Sequence, residues 1–235
     1  MSWNKLSLMP VNVSSLFQQL FQQLSPALDA SSDGSHDISH LKRVWRAARL
    51  IAEEEGGDVR LLAAAVILHD CVTVEKDSPL RGQASRLSAE RAEQLLKELH
   101  WGSVEIETVS EAIRTHSYSA GLTPKSLEGS ILQDADRLDA IGAVGIARCF
   151  YTAGRMGSML YDALDPQGKE RDLDDRRYAL DHFPKKLLQL ATGFQTATGS
   201  RMAQERHSRL QAFYDAFSGE VDDLEEVGGT PCGSI

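Results

Sequence analysis

Apolar residues recur at helical spacing through most of this chain, and this periodicity limits the fold more than any other feature. The clearest stripe consists of Ile38, Leu41, Val44, Ala48 and Ile51. Apolar side chains three or four residues apart form one face of a helix. Runs of alternating β-branched and aromatic residues, which indicate strands, are scarce. The sequence therefore predicts an all-α protein.

Further helical patterns divide the rest of the chain. One begins after Asp58, a residue suited to cap a helix. The others cover about 88–99, 104–115, 126–138, 141–152, 178–190 and 195–217. We find no internal repeat or obvious linker, so we expect a single domain over residues 1–218. Its core would cover about 20–155 with additional helices over about 174–217, and residues 219–235, acidic and then Gly-rich, would form a flexible tail.

Composition restricts the classes of function. With 42% hydrophobic and 25% charged residues, the chain has the make-up of a globular protein. Its net charge of -9 disfavours a general nucleic-acid-binding surface. Three widely spaced cysteines do not form a disulfide framework, and no apolar run suits a signal peptide or a membrane span. We therefore expect a cytoplasmic protein that does not associate with membranes.

The longest apolar run, residues 61–68, ends directly in His69-Asp70. Polar side chains at the edge of a buried segment cost free energy unless they find a partner. The dipeptide alone decides nothing, because His36-Asp37 repeats it in a different setting. The explanation must lie elsewhere in the chain.

Two other places supply polar groups at inward-facing positions. His40 lies on the apolar stripe of its helix, where a lone histidine is more often a hydrogen-bonded core residue. Three aspartates at positions 134, 136 and 139 follow an apolar approach, with Arg137 among them. If this stretch is considered alone, its aspartates would form an acidic helix face that Arg137 and solvent neutralise. Taken together with His40, His69 and Asp70, they offer the mixed nitrogen and oxygen donors that suit Mn²⁺, Fe²⁺ or a similar divalent ion.

Four stretches resemble one known family. They are "HDISHLKRVWRAARLIA", "AAAVILHDC", "ILQDADRLDAIGAVGIAR" and "YALDHFPKKLL". The first three resemble the H…HD…D pattern of the HD-domain metal-dependent phosphohydrolase superfamily, and the last resembles a segment of its small bacterial hydrolase branch. The similarity covers roughly residues 20–215. It implies a single HD domain, an all-α bundle of five core helices with additional helices, holding a divalent metal at its centre.

The resemblance implies a set of metal ligands: His40, His69, Asp70 and Asp136. His36, one helical turn before His40, is the competing candidate for the first ligand. Asp134 and Asp139 would either orient the ligands or form ordinary salt bridges. Mn²⁺ is the metal we expect first, with Mg²⁺, Fe²⁺, Co²⁺ and Ni²⁺ as alternatives.

Residues that contact substrate are less well defined. Glu75, together with Asp70, is the candidate for acid–base catalysis. Lys76, His116, Arg86 and Lys185 are the candidates for substrate binding. For His116, contact with substrate and contact with a second metal are equally open, and Arg86 is as well explained by a solvated loop. Arg148 is a further basic candidate, with a simple exposed charge as the alternative. Gly142 to Gly145 is interpreted as a site of close helix packing rather than a phosphate loop.

These expectations define an enzyme. The predicted activity is hydrolysis of a phosphoester or phosphoanhydride in a nucleotide or small phosphorylated metabolite, with metal-activated water as the nucleophile. A nucleotide pyrophosphohydrolase or a phosphodiesterase would fit. The alternative is a non-catalytic HD module that binds a nucleotide or a protein, and a third reading is an all-α scaffold without metal. A homodimer is left open.

Overall fold

A computed structural model describes residues 13–27, 38–74, 81–117 and 120–222 of the chain. Within these ranges the secondary structure consists of nine α-helices and short 3₁₀ turns, without a strand. The prediction of an all-α fold is confirmed. The described residues fall into two compact units, which divide between Asp136 and Arg137. None of the described helices combines the length and the apolar character needed to cross a membrane.

The first unit contains α1 to α5 and most of α6. These helices are α1 (Val13–Leu24), α2 (Ile38–Glu55), α3 (Val59–Leu68), α4 (Ala84–Glu98), α5 (Ser103–Thr115) and α6 (Leu127–Asp139). The apolar run of the sequence is α3, which packs against α1, α2 and α5. Every residue from Leu62 to Leu68 is buried. Helix α3 is therefore the central element of this unit.

The start of α3 is fixed by the residue that the sequence marks as a cap. The Asp58 carboxylate accepts hydrogen bonds from the backbone amides of Arg60 and Leu61, at 2.8 and 3.1 Å. These amides have no partner within the helix, so the cap stabilises the first turn by about 1 kcal/mol. From this fixed start the helix runs ten residues and ends with His69 at its C-cap.

Helix α1 was not among the predicted helices. Phe17, Leu20 and Leu24 form its buried face, and the Phe17 ring stacks on Trp45 of α2 with centroids 4.9 Å apart. These three residues have helical spacing and could have indicated the helix. Glutamines occupy much of the rest of α1, so the apolar pattern is short and was missed.

The second unit is built from the end of α6 and three further helices. These are α7 (Gly142–Met156), α8 (His182–Lys185) and α9 (Ala197–Asp222). Helices α7 and α9 pack together. The rings of Phe150, Phe183, Phe213 and Phe217 form one aromatic cluster, with neighbouring centroids about 6 Å apart. Of these rings Phe183 is fully buried, and the aromatic packing around it forms part of the core of the unit.

The predicted helix over residues 178–190 is wrong. Only His182–Lys185 is α-helical, followed by a 3₁₀ turn at Leu187–Gln189. The backbone amides of Ala179 and Leu180 instead bond to the carbonyls of Met159 and Leu160. This extended pairing excludes a helix there, and Pro184, which has no N–H, could not have served the interior of one.

The long connection between α7 and α8 is organised by a buried carboxylate. Both oxygens of Asp181 accept from the Arg171 guanidinium, at 2.6 and 2.8 Å, and Oδ2 also accepts from the backbone amide of Asp174 at 2.7 Å. A bidentate pair of this type fixes orientation as well as position. The connection thus has a defined conformation without regular secondary structure.

Candidate metal centre

Two helices of the first unit end in a histidine. His69 is the C-cap of α3 and His116 is the C-cap of α5. In each ring Nδ1 donates to the carbonyl oxygen three residues earlier, Val66 or Ile113, over 2.7 Å. A carbonyl can only accept, so Nδ1 carries the proton and Nε2 of the neutral ring carries a lone pair. Metal-binding histidines usually have this arrangement, in which a backbone carbonyl fixes the tautomer.

The Nε2 atom of His69 faces two further donors. It lies 3.2 Å from Nε2 of His40 in α2 and 3.8 Å from Oδ1 of Asp136 in α6. The same Asp136 oxygen is 3.5 Å from His40 Nε2. Three side chains from three helices thus bring their donor atoms to one point.

Asp70 extends this group toward His116. One oxygen of Asp70 lies 3.5 Å from His69 Nε2, and the other lies 3.6 Å from His116 Nε2. The His69 and His116 rings are nearly perpendicular, with centroids 4.9 Å apart. His69, Asp70 and His116 therefore form a second set of donors that shares His69 with the first.

The donor spacing fits a divalent cation. Two donors at roughly 2.1 Å from one ion, separated by 90–109°, lie about 3.0–3.4 Å apart. The observed separations of 3.2, 3.5 and 3.8 Å in the first set are close to this range. The three imidazoles are buried, whereas the side chains of Asp70 and Asp136 are 31% and 28% exposed. A cation held here would be anchored by buried nitrogens and reached from solvent on the carboxylate side.

Electrostatics distinguish the histidines. Burial lowers the pKa of His69, although the nearby carboxylates oppose this shift. Burial acts in the same direction on His116, but the negative charge of Asp70, 3.6 Å from Nε2, outweighs it and raises the pKa to about 9. In the absence of a cation, His69 is therefore a neutral donor and His116 an imidazolium at neutral pH.

Comparison with known proteins agrees with this geometry. The family model described as the HD domain matches residues 37–141. The uncharacterized Bacillus subtilis protein YpgQ is 32% identical over 190 residues, which cover 79% of this chain and 84% of YpgQ. The chain belongs to the HD-domain superfamily. This confirms the family that the sequence motifs indicated.

Solved structures show the same HD fold. A Bacillus thuringiensis HD-superfamily hydrolase superposes with a TM-score of 0.65 at 31% identity, covering 89% of this chain and 96% of the other. The structure of B. subtilis YpgQ in complex with ADP gives a TM-score of 0.67 at 31% identity, covering 88% of this chain and 96% of YpgQ.

The structure brings five of the predicted site residues of this HD protein together: His40, His69, Asp70, His116 and Asp136. His36, Glu75 and Lys76 lie outside the described residues. Arg86 is exposed, and its guanidinium bonds to Glu90 at 2.5 Å and also to Gln83. Lys185 belongs to the second unit, where its Nζ lies 2.8 Å from Oδ1 of Asp175.

The charged residues that flank Asp136 have structural partners. Asp139 is buried and forms a salt bridge of 2.8 Å with Arg148. Arg148 is thus a half-buried member of an ion pair, which disfavours the alternative of a simple exposed charge. The guanidinium of Arg137 donates to the carbonyl oxygens of Thr192 and Gly193. Asp134 is fully buried within α6.

One further group was not singled out from the sequence. His182 Nδ1 lies 2.9 Å from Oδ2 of Asp175, the carboxylate that also holds Lys185. The run "DDRRYALDHFPKK" carried the necessary residue types. Their contact depends on the path of the chain between α7 and α8, which helical periodicity does not reveal.

Proposed function

We propose that this HD protein is a divalent-metal-dependent phosphohydrolase acting on a phosphoester or phosphoanhydride. The observation that carries the proposal is the convergence of His40, His69 and Asp136, with the tautomer of His69 fixed for ligation. When bound, a divalent cation would supply Lewis-acid polarisation of a phosphoryl oxygen and activation of water at neutral pH. Mn²⁺ is the ion we propose first, because mixed imidazole and carboxylate donors suit it.

The side chains around the cation site have separate roles in this proposal. His40, His69 and Asp136 hold the ion. Asp70 lies close to both His69 and His116 and is partly exposed, so it can ligate through one oxygen and exchange a proton through the other. Glu75 is proposed as a further acid or base.

His116 is proposed to face the substrate. Its Nε2 lies 3.6 Å from an oxygen of Asp70, and the charge of that carboxylate favours the imidazolium form. An imidazolium beside a phosphoryl group can neutralise negative charge that develops in the transition state. Lys76 is proposed to contact phosphate as well, whereas Arg86 and Lys185 would have to exchange Glu90 and Asp175 for substrate.

A nucleotide is the proposed substrate class. The support is the structure of YpgQ, which was determined in complex with ADP. The similarity to YpgQ extends over most of both chains, so the two proteins share the frame in which such a ligand would be placed.

The test is an assay of the purified full chain with Mn²⁺ against nucleoside triphosphates, nucleoside diphosphates and phosphodiesters. We expect turnover of a nucleotide, with the released phosphate or pyrophosphate identifying the bond that is cleaved. Asp136→Ala serves as the matched control and should be inactive while retaining its helical circular dichroism spectrum. Nucleotide binding without any turnover would contradict the proposal and favour the non-catalytic HD module.

A further inference from the structure

The second unit contains a cavity whose lining includes Lys185, a candidate substrate-binding residue of the proposed hydrolysis. It has a volume of about 540 Å³ and lies among α7, α8 and the 3₁₀ turn that follows α8. Ligand sites for small molecules typically occupy about 300–1,000 Å³. All of its lining residues belong to the second unit, whereas the five donors of the candidate metal centre belong to the first.

The lining combines an apolar part with a cationic part. Apolar side chains include Ala153, Leu187 and Leu190, which are buried. Four permanently cationic side chains also line the cavity: Arg148, Arg176, Lys185 and Lys186. Among the lining residues that the structure describes, Asp175 is the one carboxylate. A cavity of this composition suits a ligand that has an anionic end and an apolar body.

Ion pairing leaves part of this positive charge unmatched. Arg148 is paired with Asp139 at 2.8 Å, and Lys185 with Asp175 at 2.8 Å. Within the described part of the chain, the exposed side chains of Arg176 and Lys186 form no ion pair. The surplus at the cavity is therefore two positive charges, which matches a phosphate or diphosphate group.

We propose that this cavity binds a phosphorylated small molecule, with Arg176 and Lys186 contacting the phosphate and the apolar lining contacting the organic part. The proposal does not depend on the metal centre or on hydrolysis. It adds an anion-binding site, independent of metal, to the second unit of this HD protein.

Calorimetric titration of the full chain with ADP in the presence of EDTA tests the proposal. We expect one ADP per chain, and binding of uncharged adenosine at least tenfold weaker. Because Arg176 and Lys186 are exposed, each substitution, Arg176→Gln or Lys186→Gln, should raise the Kd for ADP about 3- to 5-fold. Lys169→Gln is the control. The Lys169 side chain is 64% exposed and lies outside the cavity lining, so the substitution should leave the Kd unchanged.

Two further results separate this proposal from the proposed hydrolysis. In EDTA, Asp136→Ala should bind ADP as the wild type does, because the cavity residues are unaltered. Loss of binding in Asp136→Ala, wild-type binding in both cavity variants, or equal binding of ADP and adenosine would each overturn the proposal. Absence of turnover with Mn²⁺ would leave it intact, since turnover does not enter this measurement.

Discussion

At the scale of single residues, the candidate metal centre depends on hydrogen bonds that fix which nitrogen can ligate. His69 and His116 each donate from Nδ1 to the last turn of their own helix. The ring is therefore held in position before any ion binds, and little side-chain entropy remains to be lost on binding. Such preorganisation favours affinity for the ion.

Removal of any one of the four predicted ligands should release the ion. We expect His40→Ala, His69→Ala, Asp70→Ala and Asp136→Ala to lose bound metal and phosphohydrolase activity, because each variant removes a donor from the cluster. Elemental analysis of the purified variants measures this directly. His36→Ala is the control and should retain its metal; the opposite result for His36 and His40 would show that the first ligand was assigned to the wrong histidine.

The role of His116 can be separated from that of the ligands. If it acts on the substrate, His116→Gln should keep the ion held by His40, His69 and Asp136. Loss of a charged hydrogen bond worth about 1.5–3 kcal/mol would lower kcat/KM roughly 10- to 150-fold. Metal content and steady-state kinetics of the same preparation are compared. A fall in metal content by one ion per chain would instead make His116 a ligand of a second ion.

Most of this cluster was accessible from sequence, and the reason is its position on helices. His40 lies on a periodic apolar stripe and His69 follows a buried run, so their inward direction could be predicted. The contact between Asp70 and His116 could not, because α4 intervenes between α3 and α5 in the chain. Apolar periodicity predicts which way a side chain faces on its own helix. It does not predict which distant helix ends lie next to each other.

At the scale of elements, the close turn at the start of α7 depends on a glycine. A Cβ added at Gly145 would lie 2.3 Å from the carbonyl oxygen of Ala140. Gly142 approaches Arg206 of α9, where an added Cβ would be 3.1 Å from the Arg206 Cβ. Close helix packing was predicted for both glycines and holds for Gly142, whereas Gly145 accommodates its own turn.

The two helical glycines Gly145 and Gly154 give a matched pair of substitutions. Gly145→Ala should lower the free energy of unfolding by about 1–3 kcal/mol, since backbone atoms must move to relieve the contact. A Cβ added at Gly154 has no atom within 4 Å. Gly154→Ala should therefore raise the free energy of unfolding by about 0.5–1 kcal/mol, because alanine has the higher helix propensity. Urea denaturation of both variants decides the matter, and equal effects would argue against the close contact at Gly145.

The segment before α8 should respond to acid through Asp175. Partial burial disfavours ionisation, but the hydrogen bonds from Lys185 and His182 outweigh it and lower the pKa of Asp175 from its ordinary value to about 2. A depressed carboxyl pKa stabilises the fold above the unfolded-state pKa, and the contribution is lost as the pH falls toward 2. Asp175→Asn should thus be less stable at pH 7 by on the order of 2 kcal/mol.

Denaturation at a series of pH values provides the measurement for Asp175. The difference between wild type and Asp175→Asn should shrink between pH 4 and pH 2. The exposed neighbour Asp172 supplies the control, and Asp172→Asn should follow the wild type throughout. A difference that stays constant with pH would show that the loss in Asp175→Asn has another origin.

The helices themselves were predictable where one face is buried against neighbours. Helix α9 extends to Asp222, five residues past the predicted end, because sparse apolar residues give its last turns little periodic signal. The prediction of a helix over residues 178–190 failed for a different reason. The first residues of this region form extended backbone pairing, and a short helix follows them. The single domain over residues 1–218 stays a prediction. The structure itself divides the chain into two compact units.

At the scale of the whole molecule, metal binding should be linked to stability. An ion that binds only the folded chain, at 100 times its Kd, adds about 2.7 kcal/mol to the free energy of unfolding. Chelator should therefore lower the Tm of the wild type and hardly affect Asp70→Ala. Thermal denaturation with and without EDTA compares the two, and an equal fall in both would indicate that the chelator acts on something other than this site.

Helix α3 has a fixed start and a fixed end, so its length determines where His69 lies relative to the other metal donors. The helix runs from the cap residue Asp58 to His69 without interruption. Insertion of one residue would turn His69 by about 100° and displace it by about 1.5 Å along the axis. The imidazole would then leave the group formed with His40 and Asp136. Replacement of one aliphatic residue by another within α3 should therefore disturb the metal donors much less than insertion or deletion of one residue. We expect length variation among homologous chains to lie outside this helix.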